Sequence, residues 1–209
     1  MNKNSVTLIG FYGSDEIHAC SAWTSTSREI TNEKRERIPK LLKMLAEAGH
    51  HTPFEKSSLH FLVTSEIASH IQKLKHRIGV SINGESARYK ELKEDKYYIP
   101  TDWPVGWQEE LENYTKQGLV LYHKCLESLV NDYQFDKKRA KESARFFRGY
   151  NTQIDVDIMF NWRSFWHFLN LRNSPHSQKE IREIAAEMLD SVKNIEGNPF
   201  KYTLEAFNL

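Results

Sequence analysis

Gln72-Lys73-Leu74-Lys75-His76-Arg77-Ile78-Gly79-Val80-Ser81-Ile82-Asn83-Gly84-Glu85-Ser86-Ala87-Arg88-Tyr89 is the stretch on which the reading of this chain turns. It ends a helical segment with three cationic or titratable side chains in a row, runs through small residues, and meets another arginine. Two readings fit that composition. Basic side chains at a helix C-terminus complement the helix dipole, with an ordinary turn behind them. Alternatively, backbone amides of a loop rich in Gly, Ser and Asn, flanked by guanidinium groups, form a phosphate cradle.

Outward from this stretch, hydrophobic periodicity predicts the surrounding elements. Residues 59–64 read as a strand, and a helix starting at Ser65 runs toward Leu74. Upstream, residues 5–11 are β-prone and stop at a Tyr-Gly-Ser-Asp turn. Residues 32–48 place Ile38, Leu41, Leu42 and Leu45 on one helical face, with Gly49 as the stop. Downstream, residues 107–131 form the longest helix, with Leu111, Tyr114, Leu119, Tyr122, Leu126, Leu129 and Val130 on its inner side. A helix at 136–145 follows, its Lys137 to Glu142 charge run forming a solvated face. Residues 152–159 alternate as a strand that buries Ile154, Val156 and Ile158. Helices at 162–171 and 177–193 flank the breaker Asn173-Ser174-Pro175, and Trp162, Phe165, Trp166 and Phe168 read as core. The Tyr97-Tyr98-Ile99-Pro100 and Trp103-Pro104 segments read as a surface loop. Helices with a few strands in no strict βαβ alternation predict an α+β (mixed α/β) fold in one domain over residues 1–209.

The bulk properties exclude several classes. At 209 residues and a formal net charge of +1, the chain has no general attraction for nucleic acid or membrane, so any bound anion must be caught by a local group of cations. Mean hydropathy is −0.64, and no apolar run reaches the length of a membrane span. The N-terminus reads as a first strand rather than a signal peptide, which predicts a cytoplasmic protein. Cys20 and Cys125 offer neither a disulfide framework nor metal-ligand spacing, and His50 and His51 have no partner ligands nearby in sequence, so no metal is expected.

Taken in order, these residues resemble the signature of flavin-dependent thymidylate synthases, also called thymidylate synthase complementing proteins. That signature runs Arg-His-Arg, a short loop, Ser, a small residue, Arg and Tyr. Gly49-His50-His51-Thr52-Pro53-Phe54-Glu55 resembles the family's Gly-His-x-Thr/Ser-Pro-Phe-Glu stretch. Ala144-Arg145, Asn161-Trp162-Arg163-Ser164-Phe165, Phe168-Leu169-Asn170-Leu171-Arg172 and His176-Ser177-Gln178-x-Glu180-Ile181 keep the family's order, and the ending from Phe200 to Phe207 also fits.

The resemblance implies a central sheet flanked by helices and an enzyme that moves a one-carbon unit from methylenetetrahydrofolate to C5 of dUMP. It implies FAD as hydride donor and NADPH as reductant, in a homotetramer with active sites at subunit interfaces. Residue by residue, Thr52, Lys75, His76, Arg77, Asn161, Arg163 and His167 would lie along FAD. Gln72, Ser86, Arg88 and Arg145 would hold dUMP, with Glu85 near both ligands. His50 would be a polar group of the active site. Arg172 would face the pyrimidine, where a fixed cation stabilises charge developing on the ring. Covalent catalysis by the protein is not expected. Cys125 falls in an apolar helical pattern, Cys20 has no adjacent base, and Ser86 shows no partnered base, which suits a binding role.

Departures from the family cluster around the same stretch. Lys75 replaces an arginine and loses its bidentate fork. Eight residues separate Arg77 from Ser86, one more than the family has. Gly84 takes an acidic position, so either Glu85 substitutes from the next position or the carboxylate is lost. His167 stands for an asparagine, and Arg148-Gly149 for an apolar-Pro pair. A specialised homologue acting on another pyrimidine nucleotide such as dCMP, by methyl or hydroxymethyl transfer, is one alternative. Others are a catalytically silent family member and a nucleic-acid-binding module using Lys73, Lys75, Arg77 and Arg88; near-neutral charge and the lack of a nucleic-acid motif argue against that module.

Overall fold

The computed structural model describes residues 3–86 and 95–209. Its sheet comprises β1 (Ser5–Tyr12), β2 (Ser58–Glu66), β3 (Val80–Gly84) and β4 (Gln153–Phe160), in the order β1-β2-β4-β3. Cross-strand pairs make each neighbouring pair antiparallel. Asn4 meets Glu66 and Gly13 meets Ser57; His60 meets Asp157 and Ile67 meets Thr152; Gly79 meets Asn161 and Glu85 meets Asp155. In each case residue numbers rise along one strand as they fall along its neighbour. The helices are α1 (Asp15–Trp23), α2 (Asn32–Glu47), α3 (Ile67–Lys73), α4 (Val105–Asn131), α5 (Lys137–Ala144), α6 (Trp162–Arg172), α7 (Lys179–Lys193) and α8 (Lys201–Ala206). Short 3-10 turns cover Thr52–Lys56 and Arg145–Phe147. The architecture is mixed α/β, as expected from the sequence. No helix among the described residues is long and apolar enough to cross a membrane.

The chain packs as two compact units. The larger comprises 5–63, 72–82 and 157–209, and the smaller holds the described residues of 1–4, 64–71 and 83–156. In the larger unit, strand alternation turns Leu59, Phe61 and Val63 inward, and Ile158 and Phe160 join them fully buried. Trp162, Phe165 and Phe168 of α6 close this core, with Phe165 stacked on Phe61 at 5.6 Å and Trp162 on Phe200 at 5.0 Å between centroids. Helix α7 buries Ile181, Ile184, Ala185, Met188 and Val192 at three- and four-residue spacing, the stripe that an amphipathic helix needs. In the smaller unit, Tyr122 and Leu126 of α4 pack on Ala140 and Ala144 of α5, with Cys125 partly buried beside them.

One polar network lies inside the larger core. Asp15 accepts from Thr203 Oγ1 at 2.6 Å, so the hydroxyl of Thr203 is committed and accepts in turn from His18 Nδ1 at 3.0 Å. The other ring nitrogen, His18 Nε2, then accepts from Ser57 Oγ at 2.8 Å. All four residues are buried, so this chain of hydrogen bonds ties α1 to α8 and is closed to substrate. Burial pushes the His18 pKa from 6.5 down to about 3. Between those values the unfolded chain binds the extra proton. The stability this group contributes is therefore complete above about pH 6.5. It drains away as pH falls, at roughly 1.4 kcal/mol for each pH step until the folded ring also protonates. Asp15, raised by burial, works in the opposite sense at the acid end. Melting curves between about pH 7 and pH 4 should therefore show Tm falling on acidification, and falling less steeply in His18→Gln. Equal slopes would remove His18 as the source.

The structure departs from the sequence reading in several places. Residues 80–84 are an edge strand rather than part of an open loop, because their β-branched Val80 and Ile82 pair with β4. Helices α1 and α8 were not anticipated, although the Ser14-Asp15 turn is the N-cap of α1, with Ser14 Oγ accepting from Ile17 N at 3.2 Å. Strand β2 extends through Glu66, so α3 starts two residues later than expected. On α4 the buried side holds Thr115, Tyr122 and Leu126, whereas Tyr114 is exposed. Tyr98 and Ile99 are buried rather than at the surface, because Tyr97 bridges to Thr152 beside β4.

Candidate active site

The turn after α3 and the N-terminus of α6 build one site within the larger unit. Lys75 N donates to Gln72 O and His76 N to Lys73 O, so the chain leaves α3 in a tight turn that presents Lys75, His76 and Arg77 together. Gly79 then adopts φ +65°, a left-handed conformation that suits glycine. Its carbonyl accepts from Asn161 N at 3.0 Å, and the Ile78 carbonyl accepts from Ser164 Oγ at 2.6 Å. Asn161 caps α6 by accepting from Ser164 N at 2.8 Å. The same two residues that start α6 therefore dock the basic turn. Along α6, Arg163, Trp166, His167 and Leu171 recur at three- and four-residue spacing and share a face.

Between them lies a cleft of about 680 Å³. It brings together seven residues expected from the sequence: Lys75, His76, Arg77, Asn161, Arg163, His167 and Arg172. Gln72 joins them through Arg172, which donates Nη1–H to Gln72 Oε1 at 3.2 Å, Nη2–H to the Gln72 carbonyl at 3.4 Å, and Nε–H to His76 Nε2 at 3.0 Å. From the Gly49–Glu55 stretch, the cleft takes His51 and Glu55, whereas His50 and Thr52 are exposed beside it. Glu85, Ser86 and Arg145 belong to the smaller unit. There Glu85 N donates to Asp155 O at 2.8 Å, and Glu85 Oε2 accepts from Asp155 N at 3.4 Å, so Glu85 continues the β3–β4 pairing. Arg145 is exposed at the end of α5. Arg88 and Tyr89 lie outside the described residues.

The electrostatics of the cleft follow from donor and acceptor inventories. A guanidinium only donates, so His76 Nε2 must be the bare nitrogen, and the ring is neutral with its proton on Nδ1. Burial, then the charges of Arg172 and His167, lower the His76 pKa from 6.5 to about 4. Arg172 has five N–H groups; among the described residues three are directed within the protein, which leaves two for a ligand. Arg163 Nη1 pairs with Glu55 Oε1 at 2.6 Å, a half-exposed contact that orients more than it stabilises. Among the described residues, neither Lys75 nor Arg77 makes an ion pair, so both cations are open to an anionic ligand. His51 packs edge-on against Trp166 at 5.0 Å and forms an aromatic wall. Sequence reasoning missed His51, Glu55 and Trp166. Glu55 belongs to the Gly49–Glu55 motif, but its partner Arg163 is 108 residues away and no spacing rule joins them. Among the described residues, no three His, Cys, Asp or Glu side chains cluster to hold a metal.

A basic, half-enclosed cleft at a helix N-terminus has the charge and shape to hold a large anionic ligand with an aromatic part. The family model for thymidylate synthase complementing proteins matches residues 7–196. The flavin-dependent thymidylate synthase of Pseudothermotoga lettingae is 30% identical over 93% of this chain and 87% of its own length. That of Thermosipho africanus is 31% identical over 99% and 92%, respectively. Among solved structures, a UMP/dUMP methylase PolB from Streptomyces cacaoi bound with 5-Br dUMP superposes with a TM-score of 0.79. That likeness covers 100% of this chain and 96% of that one at 23% identity, and it shows a shared fold. The chain belongs to the thymidylate synthase complementing protein family, the flavin-dependent thymidylate synthases. It is a methyltransferase of that family.

Proposed function

We propose that this enzyme transfers a one-carbon unit from 5,10-methylenetetrahydrofolate to C5 of dUMP and makes dTMP, with NADPH as the reductant. The observation that carries the reading is Arg172, braced on three sides with two N–H groups left over, in a cleft that also holds Lys75 and Arg77. FAD, when bound, supplies hydride to the transferred carbon. The cleft volume of about 680 Å³ and its donor set suit such a cofactor. Lys75 and Arg77 would meet its pyrophosphate, with His76, Asn161, Arg163, His167 and Thr52 along the rest. Gln72, Ser86, Arg88 and Arg145 would hold the nucleotide, with Glu85 near both and His50 as a further polar group. Arg172 would stabilise negative charge developing on the pyrimidine as C5 attacks, so no protein nucleophile is required. We place the enzyme in the cytoplasm as a homotetramer whose sites draw on more than one subunit.

A second reading is favoured by Gly84. A Cβ built there would meet the His70 ring at 3.6 Å, so an imidazole rather than a carboxylate borders this position. That change suits a different pyrimidine nucleotide, such as dCMP, or hydroxymethyl transfer. One competition experiment separates the two. Protein, FAD, NADPH and methylenetetrahydrofolate are incubated with dUMP, UMP and dCMP together, and the nucleotides are analysed by mass spectrometry. Gain of one CH₂ by dUMP alone is the expected outcome. Conversion of dCMP with dUMP untouched, or gain of CH₂O, would transfer the assignment to the second reading. No mass gain in any nucleotide would sink both.

A further inference from the structure

The motif Gln178-x-Glu180 at the start of α7 has no role in the chemistry described above, yet it is joined to the cleft by an unbroken chain of hydrogen bonds. Arg172 donates to Gln72 Oε1 at 3.2 Å, Gln72 Nε2 donates to Gln178 Oε1 at 2.8 Å, and Gln178 Nε2 donates to Glu180 Oε2 at 2.8 Å. Both ends of this chain have only one possible sense. A guanidinium can only donate and a carboxylate can only accept. Glu180 therefore forces the Gln178 amide to turn its NH₂ inward and its oxygen toward Gln72. Gln72 must then present NH₂ to Gln178 and its own oxygen to Arg172. The two amides have no freedom to flip while both ends stay in place. Glu180 is buried in the first turn of α7, where unpaired backbone amides favour a negative charge. The opposite flank of Arg172 is closed by the neutral ring of buried His76.

Resting on the reading that Arg172 acts on the nucleotide, we infer that Gln178 and Glu180 are positioning residues, which act through the Gln72 amide to aim the guanidinium. Neither lines the cleft. Without Glu180, Arg172 alone holds the Gln72 oxygen inward, and each flip of the amide sets an NH₂ against the guanidinium, donor against donor, and loosens its aim.

The test uses the FAD-loaded enzyme, with dUMP as the nucleotide probe. In Gln178→Leu and in Glu180→Gln, kcat is expected to fall about tenfold with a smaller rise in KM, because a misaimed group costs more interaction in the transition state than in the ground state. Flavin content and Tm should hold. The double variant Q178E/E180Q keeps an acceptor facing Gln72 and should recover most of the lost kcat. Titration calorimetry with dUMP supplies a readout independent of turnover. If the pair works through Arg172, Gln178→Leu should weaken dUMP binding in the wild-type background and have no further effect in Arg172→Ala. Additive effects, or kcat within about twofold of wild type in both single variants, would overturn the relay. Where Glu180→Gln lowers Tm, exposed Gln178 carries the comparison alone. Failure of the underlying reading looks different: Arg172→Ala would then keep full turnover, and the relay falls with it. Loss of turnover in Arg172→Ala beside unaffected Gln178→Leu sinks the relay only.

Discussion

Arg172→Ala is expected to lower turnover by a hundred- to a thousand-fold, roughly the cost of removing one preorganised charge-stabilising donor, while FAD stays bound. The two halves of this expectation rest on different residues. On the proposed assignment, flavin retention would depend on Lys75, Arg77, Asn161 and Arg163, which line the same cleft and are not held by Arg172. Turnover depends on the two N–H groups that Arg172 does not spend on His76 and Gln72. A third consequence follows from the second cause of the lowered His76 pKa. With the guanidinium gone, a nearby positive charge disappears and Nε2 is free to take a proton, so the His76 pKa should rise from about 4 toward 6.5. Burial, the first cause, remains and keeps the rise incomplete. Absorbance of the purified variant, single-turnover product formation and NMR titration of the ring read the three effects separately. Unchanged turnover would mean that the catalytic assignment of Arg172 is wrong. A colourless variant would mean that Arg172 contributes to the flavin site after all.

How much of this site could be read from the chain depended on the range of the interactions. The α6 face was legible because helical spacing is local: Asn161, Arg163, His167 and Arg172 fall on one element, and the cap that starts it is a single asparagine. The basic turn was legible as chemistry, three side chains in a row, but not as geometry. Reading Ile78 to Glu85 as one open loop failed because strand pairing is non-local. Val80 to Gly84 become β3 only in the presence of β4, more than 60 residues later. That His51 lines the cleft while His50 is exposed was illegible for a related reason. Adjacent residues in a turn point in different directions, and only the packing of His51 against Trp166 and Phe207 decides which one faces the cleft. Helix α8 is six residues long and held by Asp15 at the far end of the chain, too short for periodicity to signal it.

Gly79→Ala is expected to damage fold and cofactor site together, and a second glycine supplies the control. Gly79 has φ +65°, and a Cβ there would collide with Asn161 Nδ2 and Ser164 Oγ. Neither side chain is free to swing aside. Asn161 caps α6 through Ser164 N, and Ser164 Oγ donates to the Ile78 carbonyl. The substitution thus carries left-handed backbone strain and also costs either the helix cap or the docking of the basic turn. Together these come to about 2–4 kcal/mol, from roughly 1–2 for each part. Gly49 has nearly the same backbone, φ +72°, but nothing lies within 4 Å of its Cβ position. Gly49→Ala should therefore show the strain alone, a smaller fall in Tm with FAD affinity unchanged. In Gly79→Ala, Tm should fall further and FAD should bind at least about tenfold more weakly, because displacing the turn moves Lys75, His76 and Arg77 as one piece. Equal flavin affinity in the two variants would separate the basic turn from the cofactor. It would then place the flavin contacts on α6 alone.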